Sequence, residues 1–454
     1  MPDTISAIAT PPGIGGLAVI RISGKQAFEI ADKCFIGKVR LIDAVSHTIH
    51  YGKFIFNEKL LDTITAAVFK APNSYTGEDV VEISCHGGSI VANEINNALI
   101  DLGARLAEPG EFTKRAFLNG KLDLTQVEAV ADIIHSVSIP GAQTAARQLE
   151  GGFTNRIKEI RKKLLDICSL IELELDFADE DIEFVKKEKL IEQISETRKF
   201  CNELAESFRS AEILRSGYFV GIAGYPNSGK STLFNTLLKR SRAIVSEIPG
   251  TTRDYLEEML YLNGIAIKLI DTAGLRPTDD IIEIEGIKMV ESVLKQANLI
   301  LVLNDIAISH EHSDSLFHQI QEKYPENYII LIYNKIDKLE ELVDFDRIYK
   351  EEAKLYISAK KGYGLENLKQ FIEMQAGNST ARINDILVNQ RQAILLKQAA
   401  NDLSNAEEAA RANLENELIS IDIRNAAKRL GEITGETWNE EVLNNIFSNF
   451  CIGK

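Results

Sequence analysis

The sequence predicts a multidomain α/β protein, and three observations carry that expectation. Short β-branched runs such as "GLAVIRISG", "TAAVFKAP" and "DVVEISCHGG" fill the first part of the chain, separated by Gly, Pro and Asn. Apolar residues recur three and four apart in "IRKKLLDICSLIELELDF" and "LIEQISETRKFCNELAESF", and again in "RQAILLKQAANDLSNAEEAARANLENELISIDIRNAAKRL" near the C-terminus. Between these helical stretches, from about Ser216 to Ala376, strand-like and helix-like runs alternate. The expected organisation is an α+β domain over residues 1–119, a helical domain built from 120–215 and 377–454, and an α/β domain over 216–376 inserted into it. No internal repeat or low-complexity tract interrupts this order.

Bulk properties narrow the function classes. At ~100–200 residues per domain, 454 residues suggest two to four domains. A net charge of −16 argues against a protein that coats nucleic acid non-specifically, while leaving room for a local basic patch or a positively charged partner. No apolar run approaches the ~18 residues of a membrane span, and "LILVL" reads as a buried strand. The start "MPDTISAIATPPGIGG" has neither a basic region before an apolar one nor an Arg-rich amphipathic helix, so a cytoplasmic protein with no membrane partner is expected. The five cysteines form no C-x-x-C pair, which points to reduced thiols, not to a disulfide framework or a zinc site.

The strongest chemical signal is "YFVGIAGYPNSGKSTLFN". A β-rich run leads into Gly224-x-x-x-x-Gly229-Lys230-Ser231 and then into a helical stretch, the context a P-loop requires. Backbone N–H groups from Asn227 to Thr232, including Ser228, converge on phosphate oxygens, and the helix N-terminus adds its dipole. Lys230 would reach the β- and γ-phosphates, and the Ser231 hydroxyl would bind Mg²⁺. Guanine selectivity comes from "NKID": Asp337 can accept from N1–H and the exocyclic amine, Asn334 would bridge base and P-loop, and the Lys335 stem would lie on the ring. In "YISAK" the backbone of Ser358, Ala359 and Lys360 would contact the guanine oxygen. GTP is therefore the expected ligand.

"VSEIPGTTRD" supplies a first switch, with Thr252 completing the Mg²⁺ shell. "YLEEMLYL-NG-IAIKLIDTAG" reads as a hairpin turned at Asn263-Gly264. It delivers Asp271 to the metal through water and, past Thr272 and Ala273, Gly274 to the γ-phosphate. The next residue is Leu275, where Ras-type enzymes carry a glutamine that orients the attacking water. An isobutyl group cannot hold water. Carboxylates in "LRPTDDIIEIEG" could do so, or could simply solvate a loop. No fixed arginine finger is evident either, and such a finger is worth ~10³–10⁵ in rate. A second cation near the β–γ bridge could compensate, and Asn227 has a carbonyl that could ligate one, although an Asn there can equally be a spacer. Two other apparent motifs lack their context: "PPGIGGLA" precedes a strand-like "VIRI" and no helix, and "CHGG" has no nucleophile elbow, so a turn with a satisfied His86 explains it.

The whole chain resembles the MnmE (TrmE) family of tRNA-modification GTPases. The resemblance runs through "ATPPGIGGLAVIRISG", "NSYTGEDVVEISCHGG", "PGEFTKRAFLNGKLDLTQVEAVADII", the inserted G motifs and terminal "FCIGK". It implies an N-terminal folate-binding dimerisation domain, a helical domain and an inserted Ras-like P-loop GTPase domain. It implies a potassium-activated homodimer that binds GTP, Mg²⁺, K⁺ and 5-formyl-tetrahydrofolate. With the flavoprotein MnmG, which carries FAD, it would install an aminomethyl-type group on the wobble uridine of certain tRNAs. By motif position Asn227 would ligate K⁺, with Ser246, Ile248 and Thr251 in the ion-binding loop beside Glu247 and Gly250. Ser231 and Thr252 would hold Mg²⁺. Glu283, three residues before Gly286, would position the water, with Glu285 as a competitor. Arg21, Glu82, Lys121 and Lys454 would form the folate site.

Ribosome-assembly GTPases of the Era or Der kind share similar G motifs, but neither a G-x-x-G clamp after the G domain nor a second P-loop is present. For the tail, one expectation is that Phe447 and Phe450 pack the last helix and Cys451 fills an apolar gap. The resemblance instead places Cys451 near the folate pocket and the modification chemistry.

Overall fold

The computed structural model describes residues 3–176, 187–240, 257–271, 291, 294–307, 310–339, 354–380, 386–448 and 450–454. Its chain divides into two compact units. One comprises Met1–Ala131, Ala146–Asn202 and Ile394–Lys454; the other comprises Asp132–Ala145 and Glu203–Ala393.

The first unit is built on a seven-stranded sheet in the order β3-β4-β5-β6-β2-β1-β7. Its strands are β1 (Ile5–Ile8), β2 (Leu17–Ser23), β3 (Phe35–Gly37), β4 (Thr48–Phe56), β5 (Lys59–Phe69), β6 (Val80–His86) and β7 (Arg105–Leu106). Period-two alternation decides its faces. In β2, Ala18, Ile20 and Ile22 turn inward while Leu17, Val19 and Arg21 turn outward. The inward side chains join Phe54, Ile64, Val81 and Ile83, and α1 (Ala27–Asp32) and α2 (Ser89–Asp101) cover them through Phe28, Ile30, Ile95 and Leu99. Each buried Ile, Val, Leu or Phe among them contributes ~1.5–3 kcal/mol.

A charged cluster locks the other end of this sheet. Arg115, on α3 (Glu111–Leu118), is 1% exposed and pairs with Asp3 at 3.0 Å, Glu78 at 3.1 Å and Glu111 at 2.9 Å. Arg105 of β7 also reaches Glu111 at 2.6 Å. Burial works against the Glu111 carboxylate, yet Arg105, the Glu108 amide and Arg115 hold it below the usual range. Two guanidiniums around one buried carboxylate satisfy the charge balance that burial demands.

The helical part of this unit pairs segments remote in sequence. In chain order α3 is followed by α4 (Leu124–His135), α5 (Ile139–Leu149), the long α6 (Gly152–Asp176), α7 (Lys187–Glu206) and α8 (Phe208–Ser216), of which α6 lies wholly within this unit. α6 packs along the helix Asn416–Thr434, where Arg161 Nε donates to the Ala427 carbonyl at 3.2 Å and its guanidinium meets Glu436 at 2.6 Å. Leu124, Val127 and Val130 bury Leu443, Phe447 and Phe450 of the C-terminal segment.

The second unit carries a six-stranded sheet in the order β13-β12-β11-β8-β10-β9. Its strands are β8 (Tyr218–Gly224), β9 (Glu257–Leu262), β10 (Ile265–Asp271), β11 (Leu299–Asp305), β12 (Tyr328–Asn334) and β13 (Lys354–Ile357). All neighbours are parallel except β9, which returns antiparallel to β10. The turn between them is Asn263-Gly264, with φ of 47° and 85°, the left-handed pair a tight hairpin requires. Central β11 is buried at every position, as expected for a parallel strand covered on both faces. Among the described residues no helix is long and apolar enough to cross a membrane.

The Glu111 cluster makes an acid prediction. A carboxylate with a depressed folded-state pKa contributes stability above its unfolded value, here 4.5, and loses it as pH falls through the folded value. Glu111→Gln should destabilise the first unit by about 3 kcal/mol at neutral pH, because it removes the buried carboxylate that Arg105 and Arg115 share. The variant should also lose less stability than the parent on acidification. Hydrogen exchange of the α3 amides across pH measures both effects.

Candidate functional site

The loops following β8, β11, β12 and β13 meet at one edge of the second sheet, the carboxyl ends of its parallel strands. The loop after β8 runs from Tyr225 to Gly229 into α9 (Lys230–Arg240). Asn227 takes φ of 65° there, and Gly229 takes 101°. A Cβ on Gly229 would collide with Nδ2 of Asn334, so only glycine fits between the phosphate loop and the strand that braces it. Lys230 Nζ donates to the carbonyls of Gly224 and Tyr225 at 2.8 and 2.9 Å, which folds its ammonium over its own loop. Ser228 is buried and its Oγ has no hydrogen-bond partner among the described residues. A glycine-kinked loop that runs straight into the N-terminus of a helix is chemistry suited to a phosphate. Ser231 and Thr232 stand exposed on the first turn of α9.

Asn334 is the hub. It ends β12, is almost fully buried, and uses both ends of its amide. Nδ2 donates to the Ser228 carbonyl at 2.8 Å, and Oδ1 accepts from the Ala359 N–H at 2.9 Å. One side chain thus joins the phosphate loop to the "SAK" loop. Lys335 follows with φ of 68° and donates to the Asn227 carbonyl at 2.7 Å. Asp337 accepts from the Ser358 hydroxyl at 2.5 Å. The amides of Ser358 and Ala359 are already used, by the Tyr363 carbonyl and by Asn334, whereas Lys360 is exposed. Thr236 of α9 closes the ring by donating to the Ala359 carbonyl at 3.0 Å.

Asp305 belongs to this site and escaped the sequence reading. It ends β11 opposite Asn334 and pairs with Lys335 at 2.7 Å, with Lys338 farther off at 3.6 Å. Burial works to raise its pKa, but the Lys335 ammonium, the Ala307 amide and Lys338 hold it low. An acid two residues past the all-apolar run "LILVL" was the available signal.

The strand β10 brings the Asp271 backbone beside Ile222 of β8, one strand from the phosphate loop. Ser246, Glu247, Ile248, Gly250, Thr251, Thr252, Thr272, Ala273, Gly274 and Glu283 lie outside the described residues, as do Leu275 and Glu285.

A second constellation lies in the first unit. Arg21 Nε donates to Glu82 at 2.8 Å across the β2–β6 ladder. Its guanidinium lies over the rings of Tyr75 and Phe112, 5.2 and 5.4 Å from their centroids. Its Nη1 donates to the Gly453 carbonyl at 3.4 Å, which draws the C-terminal tail onto this sheet. Gly453 takes φ of 98°, and a Cβ there would press on the Ile8 carbonyl at 2.5 Å. The Lys454 ammonium is depressed by burial and then by the Arg21 charge, against the attraction of Glu82. Arg21, Glu82 and Lys454 therefore come together, while Lys121 donates to the Pro72 carbonyl at 3.2 Å. Phe447 and Phe450 are buried, but Cys451 is exposed, so it fills no apolar gap. The other four thiols are buried, and burial raises Cys34 and Cys85 to about 11 and Cys201 to about 12.

Comparison with known proteins now bears on both sites. The family description "MnmE helical domain" matches residues 124–451, and "GTP-binding protein TrmE N-terminus" matches residues 4–121. Proteins named tRNA modification GTPase MnmE are similar end to end. The one from Christiangramia forsetii is 42% identical, covering 100% of this chain and 99% of its own. The one from Flavobacterium johnsoniae is 43% identical with the same coverage. The one from Salinibacter ruber is 41% identical, again covering 100% of this chain and 99% of its own. The chain belongs to the MnmE family of tRNA modification GTPases. Its P-loop site is accordingly a GTPase site, for which GTP and Mg²⁺ are the ligands. The full-length match does not favour the Era-like alternative, since it takes in the N-terminal and helical segments together with the G motifs.

Two substitutions separate base reading from positioning. Asp337→Asn should weaken GTP binding by roughly 30- to 150-fold, or ~2–3 kcal/mol, and favour xanthosine triphosphate, whose ring offers the complementary oxygen. Asp305→Asn should weaken GTP and xanthosine triphosphate alike, by about 5- to 30-fold, because it frees Lys335 without altering base readout. Titration of both nucleotides against both variants is the measurement.

Proposed function

We propose that this chain is a potassium-activated GTP hydrolase that acts in tRNA modification. Partnered with the flavoprotein MnmG and its FAD, it takes part in adding an aminomethyl or carboxymethylaminomethyl group at C5 of the wobble uridine, position 34. The observation that carries the GTPase half is the Asn334 bridge, which ties a P-loop to a guanine-reading loop in one rigid assembly. The tRNA half rests on full-length similarity to proteins named tRNA modification GTPases. The working form is a cytoplasmic homodimer in three domains, bounded at residues 119, 215 and 376 as the sequence textures suggest.

The nucleotide chemistry follows from the residues in named roles. The P-loop amides and Lys230 bind the phosphates, and Asp337 reads guanine. Ser231 and Thr252 would hold Mg²⁺, which supplies charge neutralisation at the β- and γ-oxygens. Asn227, with Ser246, Ile248 and Thr251, would hold K⁺ in place of an arginine finger. Asn227 is exposed on the phosphate loop, and among the described residues Lys335 engages its backbone carbonyl and not its side chain, which supports that role for the side chain. Glu283 orients the attacking water in place of the glutamine missing at Leu275.

In the first unit, a tetrahydrofolate such as 5-formyl-tetrahydrofolate would sit at Arg21 and Glu82, with Lys454 beside them and Lys121 contributing from its loop. The donor set suits a pterin: the Glu82 carboxylate accepts from its ring N–H and amino groups, and the half-buried Tyr75 ring lies beside Arg21. Cys451, exposed next to this pocket, serves the modification step and not the GTPase.

Nucleoside analysis of tRNA from a deletion strain tests the whole. Wobble-uridine modification should be absent, should return with the parent gene, and should stay absent with Cys451→Ser although that variant hydrolyses GTP normally. Unmodified tRNA levels equal in the deletion and parent strains would refute the proposal.

The ion and water have their own test. Replacing Na⁺ by K⁺ at fixed ionic strength should raise GTP turnover at least about tenfold, and Asn227→Ala should blunt that response. Glu283→Ala should bind GTP as the parent does while losing about 100-fold in turnover, because its carboxylate acts on the transition state. Equal rates in the two salts would exclude potassium.

A further inference from the structure

The open face of the N-terminal sheet has a direction. The β2–β6 ladder pairs Arg21 with Glu82, Val19 with Ser84 and Leu17 with His86, and these three pairs share one face. At the Arg21 end the face is closed by Tyr75, Phe112 and the Gly453 carbonyl. Exposure rises away from it. The Arg21 side chain is 12% exposed, Val19 and Ser84 are half-buried, and the His86 side chain is 74% exposed. A ligand whose head is held at Arg21 and Glu82 can therefore extend along this ladder to His86. Four residues of strand make that path about 13 Å.

His86 is an exposed side chain that is nevertheless held in place. Its Nδ1 lies 2.8 and 3.0 Å from the two oxygens of Asp62, and its backbone N–H donates to the same carboxylate at 2.8 Å. Asp62 is itself nearly buried, and against the burial that would raise its pKa, the His86 amide and ring and the Thr63 amide hold it low. An ionised carboxylate only accepts, so Nδ1 carries the proton, and Nε2 has no hydrogen-bond partner among the described residues. With Nδ1–H given to Asp62, Nε2 carries a proton only in the imidazolium form, and that proton can be donated only to a group outside the sheet. Solvating one strand end does not require an aspartate spent on three contacts to fix an exposed ring.

We infer that His86, held by Asp62, is the second anchor of the ligand at Arg21 and Glu82, and that as the imidazolium it donates its Nε2–H to a carboxylate on the ligand's far end. The inference rests on the folate reading above, and there it assigns the carboxylates of the glutamate tail to His86. The methylene-amine bridge and benzoyl ring of a folate separate pterin and glutamate by a span comparable to the Arg21-to-His86 path.

Two probes test this in the full-length protein: 5-formyl-tetrahydrofolate, and 5-formyl-6-methyltetrahydropterin, which has the head and no tail. Binding of each is measured calorimetrically to the parent, Arg21→Ala, His86→Ala and Asp62→Asn. The expected result is that His86→Ala weakens the folate about fivefold and leaves the pterin unchanged. Asp62→Asn should do the same to a smaller degree, since the ring remains but is no longer held. Unchanged folate affinity in His86→Ala would make the dyad a strand-end lock and overturn the inference. Equal weakening of both probes would place the effect in the pocket's shape, and would overturn it too. If the parent binds neither probe, or Arg21→Ala binds both as well as the parent, the folate reading fails and the inference fails with it.

Discussion

The nucleotide site depends on the two hydrogen bonds of one buried amide. Asn334 donates to the phosphate loop at Ser228 and accepts from the "SAK" loop at Ala359. Local bonds shape each loop, and this side chain joins the two. The constraint spreads outward. Gly229 must lack a Cβ because Asn334 occupies that space, and Lys335 must turn left-handed to bring its ammonium back over Asn227. Asp305 then holds that ammonium from the neighbouring strand. A buried polar group with both ends satisfied specifies one arrangement, because any other strands a donor or an acceptor away from water.

The N-terminal unit obeys a similar rule with charges. Arg115 and Glu111 are both buried, and each is tolerable only because the other is present with Asp3, Glu78 and Arg105 around them. That cluster fixes α3 against the start of the chain, and α3 carries Phe112 under the Arg21 guanidinium. The tail arrives at the same place from the far end of the sequence. Phe447 and Phe450 anchor it in the apolar cluster of α4, and the strand-hugging turn at Gly453 sets its carbonyl on Arg21. Packing and electrostatics therefore leave Cys451 in solvent and Lys454 beside the ion pair, with four other thiols sealed in the cores.

Much of the nucleotide site was legible in the sequence because its parts are local. A P-loop is a contiguous strand, turn and helix start, and its phosphate contacts come from successive backbone amides, so spacing alone identifies it. The hairpin at Asn263-Gly264 was legible for the same reason: two left-handed residues in a row are a property of those residues. The apolar run of β11 likewise announced a strand buried on both faces.

What only the tertiary structure decided was non-local. Asp305 joins the site because β11 and β12 pair in a register that sets it opposite Asn334, and no spacing along the chain encodes that register. Tyr75, Phe112 and Gly453 surround Arg21 from three separate segments, and Asp62 meets His86 across 24 positions of sequence. Sequence by itself determined which backbone geometries and which functional groups were available, because those are properties of neighbouring residues. Which groups share a site was decided by strand pairing and core packing, which act between residues far apart in the chain and are satisfied only by the folded whole.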